Sequence, residues 1–490
     1  MLKKLHGRKL AVCLLGGAMY GLFSAFGWQA EHGGVIWAGG ALLVAALLVW
    51  PIAALLAVLL ERGYTRALRQ EKPFRAGRAF AFMLACYVPM FCVAFPGSFA
   101  YDVPYQLRQV VTGAYSTHHP LLHTLALGGL LQLGRALGDI NLGAALYTAL
   151  QMALLAGCFA LTCGSIARQS GARAAKRAAV FFALYPLNMV MAVNATKDVL
   201  FGGFFALTLA LLNEMQERPS RGLTLKIAVC GALAVMLRNN MAYAALVWLA
   251  LLTIGLRKGE KSAALAVLLA LAVGLCGNAA LKRATRAESG DMSEMLSWPI
   301  QQLARARLYD EERLTDAEKE AIDELMPGEA WACYDPTISD PVKFEFDTQT
   351  FRADVKKYVG VWLSVGKKCA GTYLDATMAL TYPFFYPYRE YRVSGYYVQM
   401  GMSDAYDASW CDFDPPESRS LFPRALASLS WRFGAKGAMQ IPVVGWLFNM
   451  GVIVWTMLFF ALREMYWGRW RRFGTALLPV VFGAIMHIAL

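Results

Sequence analysis

Apolar residues in this chain come in long unbroken runs separated by short polar or basic connectors, without the period-two alternation of half-buried strands. Crossing a hydrocarbon layer ~30 Å thick takes ~20 apolar residues as helix. On that measure the pattern predicts helices over 10–29, 35–60, 79–95, 142–167, 178–193, 199–212, 223–237, 240–256, 263–281, 441–462 and 474–490. The expected fold is an all-α polytopic membrane protein of about eleven transmembrane helices. Residues 1–281 form a transmembrane core with an outer loop at 96–120. Residues 282–440 form a mixed extracytoplasmic or interfacial domain, and 441–490 return to the membrane.

The connectors are basic: Lys3-Lys4 with Arg8-Lys9, then Arg62 to Arg78, Arg168 to Arg177, Arg218 to Lys226, Arg257 to Lys261 and Arg463 to Arg472. Cytoplasmic loops concentrate Lys and Arg, so all of these belong on one side. The parity of crossings works if 119–138 does not span. That segment carries His123, Gln132 and Arg135 on an otherwise apolar helix, and a central Arg costs about 2.5–3.5 kcal/mol in hydrocarbon. We expect a re-entrant or partly immersed helix there. The outer loop 96–120, the turn Asn194 to Asp198, Leu237 to Asn240 and the segment 282–440 then share the extracytoplasmic face. The aromatic stretch Tyr382 to Tyr397 suits the bilayer surface.

Composition agrees: 57% of the 490 residues are hydrophobic and mean hydropathy is +0.42. The 47 basic against 34 acidic residues follow from cytoplasmic loop charge, which excludes nucleic acid as the expected partner. The lipid bilayer is the first partner. Most of the 10 cysteines lie in apolar runs, while Cys333, Cys369 and Cys411 lie in the polar segment, where two could pair. No Cys/His spacing suggests a structural metal. Met1 to Gln29 reads as a retained first helix rather than a cleaved signal.

Candidate chemistry clusters at the outer loops. Asp102 is either a helix-capping or Arg-paired carboxylate or a general base, with or without a metal. His118 and His119 could hold a metal or a phosphate, or could bond the backbone at a helix start. Lys197 and Asp198 open a helix, where free N–H groups and the dipole favour an anion. Asp198 is then a counter-charge or metal ligand; the pair could equally be a surface ion pair. Arg238, flanked by Asn239 and Asn240 between apolar runs, is costly unless it meets an anion, and guanidinium binds phosphate in two-pronged fashion. Gln301, Gln302 and Arg305 share one helical end and suit sugar or phosphate contact, or plain helix surface. Asp412 and Asp414 weakly suggest a nucleotide-sugar motif. For a metal, Asp102, His119 and Asp198 are the candidate ligands, and Mg or Mn the candidate ion.

The motifs PGSFAYDVPYQ, STHHPLLHT, ATKDVLF, LRNN and SWPIQQLAR together resemble the C-type (GT-C) superfamily of integral-membrane glycosyltransferases, which use polyprenyl-phosphate sugars. They are most similar to an uncharacterised bacterial multipass family related to it. The resemblance covers residues 79–310 well and 310–460 loosely. It implies a transferase in a bacterial plasma membrane, with an extracytoplasmic active site. A sugar would pass from a polyprenyl-phosphate donor to a glycan or cell-wall polymer. It implies Asp102 as the catalytic aspartate, His119 and Pro120 at the next helix start, and Lys197, Asp198 and Arg238 near the lipid phosphate. One acidic residue in the first loop, rather than a pair, leaves metal dependence open. The final apolar run is shorter than the resemblance implies, so part of a lipid groove would be missing. Direct displacement with a single carboxylate predicts inversion at the anomeric carbon. A transporter or flippase for a lipid-linked or anionic solute is the alternative, but such proteins place charges near the midplane and show repeated halves.

Overall fold

The computed structural model describes residues 5–32, 39–61, 73–99, 102–253, 258–290, 292–387, 400–402, 414–434 and 443–488. Tyr101, Cys411, Asp412 and the aromatic stretch from 388 onward lie outside them. The helices in chain order are α1 (Arg8–Glu31), α2 (Gly39–Glu61), α3 (Ala76–Ala94), α4 (Val103–Thr112), α5 (Leu121–Ala136), α6 (Ile140–Ser170) and α7 (Ala172–Leu184). They continue with α8 (Pro186–Ala192), α9 (Lys197–Glu217), α10 (Arg221–Leu237), α11 (Met241–Thr253), α12 (Lys258–Thr285), α13 (Ser297–Tyr309) and α14 (Asp316–Leu325). The last are α15 (Asp340–Lys343), α16 (Thr348–Ala353), α17 (Val355–Lys368), α18 (Ala370–Phe385), α19 (Pro423–Gly434), α20 (Met450–Tyr466) and α21 (Trp470–Ile488). Extended pairing among the described residues is confined to isolated bridges.

Six helices (α1, α2, α3, α6, α9 and α12) are long and apolar enough to cross a bilayer. The chain is an all-α multipass membrane protein. Other apolar runs form shorter helices. The run 178–193 is divided between α7 and α8 at Tyr185-Pro186, because Pro186 lacks an N–H and disfavours helical backbone in the residue before it. The predicted immersed segment becomes α5, whose 16 residues make about 24 Å of helix, short of a full span.

The chain divides into two compact units that cut across the division at 281 and 440. The first comprises Met1–Tyr64, Asp291–Gly395 and Met439–Leu490; the second comprises Thr65–Gly290 and Tyr396–Ala438. In the first unit, α1 and α2 share a core with α20 built on Val12, Cys13, Leu56, Leu60, Leu458 and Tyr466. A separate core in its 291–395 portion gathers α13, α14 and α17 around Ile300, Ile322, Leu325 and Val365. Cys333 and Cys369 are both free thiols there.

In the second unit α3, α6 and α7 pack around Met83, Tyr87, Phe159, Cys163 and Ala179. The α5–α6 crossing depends on glycine. A Cβ on Gly143 would stand 2.2 Å from Leu130 O, and one on Gly134 2.3 Å from Gly143 N, so only backbone fits at that contact. Phe99, Val103, Leu107, Leu127, Leu131 and Tyr147 form the apolar packing beneath the candidate site.

Candidate functional site

Two turns create the site, and one short contact holds them together. α3 ends at Ala94, and the chain reverses through Phe95, Pro96 and Gly97. Gly97 has φ +142, and a Cβ there would stand 2.2 Å from Thr148 Oγ1. The freed strand pairs with the turn before α9: Ser98 N donates to Val193 O (2.8 Å), and Ala195 N donates to Ser98 O (2.8 Å). A few residues beyond this pairing, Asp102 on one chain segment and Lys197 on the other come face to face. Thr196 caps α9 by accepting from Asp198 N at 3.2 Å, which sets Lys197 and Asp198 in its first turn.

Lys197 Nζ donates to Asp102 Oδ2 at 2.5 Å, and Arg238 Nε donates to Asp198 Oδ1 at 2.5 Å. Arg238 stands where α10 ends in extended backbone, which carries it off the helix. The Asp102 side chain takes no backbone N–H of α4, so it is an ion-paired carboxylate and not a cap. It keeps 42% of its side-chain exposure and is reachable by a ligand. Behind it, His119 is 6% exposed, with Nδ1 at 3.5 Å from Asp102 Oδ2 and in no formed hydrogen bond.

Partial burial pushes the Asp102 carboxyl up. The Lys197 ammonium, the two histidines and the Lys197 hydrogen bond outweigh it and hold the group below the usual carboxylate range. Burial pushes His119 down to about 4, against the pull of Asp102, so its ring is neutral at pH 7. His118 is exposed, and its ring meets that of His119 edge-on at 4.6 Å. The segment after α12 straps this loop in place: Thr117 N donates to Glu288 O (2.9 Å), Glu288 N to Tyr115 O (2.9 Å), and Gly290 N to Thr117 Oγ1 (3.0 Å). Asn239 is exposed and its Oδ1 accepts from Asn278 Nδ2 at 3.2 Å.

A buried chain of neutral polar groups ties the Asp102 helix to the Lys197 turn. Gln106 on α4 reaches Thr124 Oγ1 and His123 Nδ1, each at 3.1 Å. His123 Nε2 lies 2.7 Å from Tyr147 Oη, and Tyr147 Oη lies 3.0 Å from Gln151 Oε1. Gln151 Nε2 donates to Ala192 O (3.0 Å) and Asn194 O (2.9 Å). These groups are at most 2% exposed, so their hydrogen bonds must close among themselves. Both Gln151 N–H bonds go to carbonyls, so its oxygen must accept, and only Tyr147 can donate to it. Tyr147 has one proton, so His123 Nε2 must carry a proton and donate to Tyr147. With the Gln106 oxygen toward Nδ1 the ring would need a second proton. With that amide turned over, a neutral ring makes the same bonds, and amide orientation is free to follow the network. In the sequence His123 shows only as a misfit in an apolar helix, and Gln106, Tyr147 and Gln151 carry no signal that sets them apart.

Gln301, Gln302 and Arg305 belong to the first unit and are engaged within it. Gln301 Nε2 donates to Ile338 O (2.7 Å) and Asp335 O (3.3 Å). Gln302 joins Tyr373 O, Thr377 Oγ1 and Trp362 Nε1. Arg305 binds Tyr334 Oη at 3.1 Å, faces Asp375 at 3.8 Å and lies over the Tyr309 ring. Their side chains hold α13 to its neighbours, while Gln301 Oε1 and Arg305 Nε have no hydrogen-bond partner among the described residues. Asp102, His119 and Asp198 do not assemble as metal ligands either: among the described residues no three His, Cys, Asp or Glu side chains gather around one point. Each carboxylate already faces a cation, which competes with any metal for its charge. These donors do not fit a resident metal.

A family model matches residues 110–489. The chain belongs to DUF6020, a family of unknown function. No curated protein and no solved structure matches it. The match takes in His118, His119, Lys197, Asp198 and Arg238 of this DUF6020 chain, and begins eight residues after Asp102.

Proposed function

We propose that the protein is a membrane glycosyltransferase of the GT-C type. It would move a sugar from a polyprenyl-phosphate donor to a cell-envelope acceptor such as a glycan or cell-wall polymer. The observation that carries the reading is the meeting of Asp102 and Lys197 across two turns, with His119 beside them and the Asp198–Arg238 pair adjoining. Distant charges gathered at the end of an apolar bundle are costly there. They offset one another as ion pairs, and the partly exposed Asp102 carboxylate leaves room for a polar ligand to exchange with those partners.

In this reading the acceptor hydroxyl gives its proton to Asp102 as its oxygen bonds to the anomeric carbon. The bond from that carbon to the phosphate oxygen breaks, and polyprenyl phosphate leaves with inversion. Lys197, Arg238 and the N-terminus of α9 stabilise the charge gathering on the phosphate. The ion pairs give this an order. While Lys197 holds Asp102, the carboxylate is a weak base. A donor phosphate that draws Lys197 away removes that counter-charge and strengthens the base as the sugar arrives.

The reading places the protein in a bacterial plasma membrane with about eleven crossings, the basic connectors inside and the Asp102 loop outside. The test is loss of undecaprenyl-phosphate sugar on incubation with purified protein and acceptor membranes, compared with Asp102→Asn. No loss with any sugar donor, from protein shown to be folded, rejects the proposal.

A further inference from the structure

Residues 419–421 do what the end of α3 cannot do for itself. The last carbonyls of a helix have no partner within it. Here Leu421 N donates to Cys92 O (3.1 Å), Ser420 Oγ to Val93 O (2.6 Å) and Arg419 N to Phe95 O (2.9 Å). α19 starts directly after this strap. Near its other end Ser430 Oγ meets Met400 O at 3.4 Å, and the next residue, Gly401, is bonded to Ser98 and Phe99. Both ends of α19 are therefore fixed at one level, the C-terminal end of α3. Its 12 residues make about 18 Å of helix, which runs across that end rather than along α3.

That level is where a bilayer would end. At about 1.5 Å per residue, Thr148 lies about 30 Å along α6 from Arg168, one hydrocarbon thickness. Gly97, three residues past the end of α3, lies against Thr148. Along α3 itself, Phe95 lies about 30 Å from Arg75.

The residues of α19 are suited to such a plane. Leu426 and Leu429 pack inward on the α3–α6–α7 core. Away from that core, Leu421, Phe422 and Trp431 are 63%, 56% and 62% exposed, beside exposed Arg424 and Arg432. Neither arginine has a carboxylate partner among the described residues. α3 itself exposes Phe82 and Val88.

We infer that α19 lies in the bilayer surface and that its partner is lipid. Trp431, Phe422 and Leu421 sit at the headgroup–acyl boundary, and Arg424 and Arg432 meet anionic lipid phosphates. The inference does not depend on the reaction proposed above.

The test uses full-length protein in nanodiscs, reading the tryptophan fluorescence lost in Trp431→Phe. Lipids brominated near the headgroup should quench that component strongly, and lipids brominated at the chain end or aqueous acrylamide weakly. Dominant acrylamide quenching would place α19 in water, and dominant chain-end quenching would place it inside the hydrocarbon; either overturns the inference. Phe422→Trp in the Trp431→Phe background supplies a second probe that should show the same depth order. Phosphatidylglycerol should increase the shallow quenching, and Arg424→Gln/Arg432→Gln should abolish the increase. Indifference of the wild type to phosphatidylglycerol overturns the arginine contacts.

Discussion

Lys197 and Asp102 are 95 residues apart in the chain and 2.5 Å apart in the fold. If Asp102 is the base, Asp102→Asn keeps the shape and removes the proton acceptor. Transfer should then fall by ~10²–10⁴-fold, with an unchanged gel-filtration profile. Lys197→Met should also lower transfer, and the double variant should lose less than the two losses combined, because both changes act on one ion pair. Additive losses would mean the two residues work separately.

His119 sets a pH dependence of stability. Its folded value is depressed to about 4 from an ordinary 6.5. Between those values the unfolded chain binds a proton that the folded one does not, so stability rises with pH across the window. Melting temperature should fall as pH drops from 6.5 toward 4, and His119→Gln should flatten that part of the curve. The depressed Asp102 adds a loss at lower pH, as the medium falls through its folded value. An equal slope in His119→Gln would assign the acid sensitivity elsewhere.

The buried relay predicts a tautomer. In protein labelled with ¹⁵N-histidine, the resonances lost in His123→Gln should report a neutral ring with its proton on Nε2. A proton on Nδ1 would break the donor sequence from Gln151 through Tyr147. Tyr147→Phe leaves Gln151 Oε1 and His123 Nε2 without their partner and should cost about 1–3 kcal/mol, measured by thermal denaturation in detergent.

Gly97 and Gly113 separate crowding from backbone strain. Both have positive φ, but a Cβ on Gly113 meets nothing within 4 Å, whereas one on Gly97 meets Thr148 and Phe99. Gly113→Ala should cost about 1–2 kcal/mol, the usual strain of left-handed backbone. Gly97→Ala should cost more and displace the Ser98–Asn194 pairing, seen as a lower yield of monodisperse protein.

What could be read from the sequence followed from solvation. Asp102, Lys197, Asp198 and Arg238 stood out because charges beside apolar runs are expensive, and that expense is visible one residue at a time. Gln106, Tyr147 and Gln151 did not stand out. Each is a tolerable polar residue in an apolar helix, and only the helix crossings reveal that they form one network. Gln301, Gln302 and Arg305 show the converse difficulty: amides and guanidinium that bind neighbouring carbonyls and rings have the same local pattern as those that bind ligand. The long apolar helices were legible from their length; the break between α7 and α8 and the helix α4 inside the outer loop were not. The grouping of α1 and α2 with α20 was not, because nothing local records which distant helix covers an apolar face.

The central claim is most directly tested by incubating purified protein with undecaprenyl-phosphate sugars and an acceptor membrane fraction, then determining the product's anomeric configuration by NMR. The account predicts consumption of the donor, an inverted linkage and no turnover by Asp102→Asn. A retained configuration, or wild-type turnover by that variant, would contradict it.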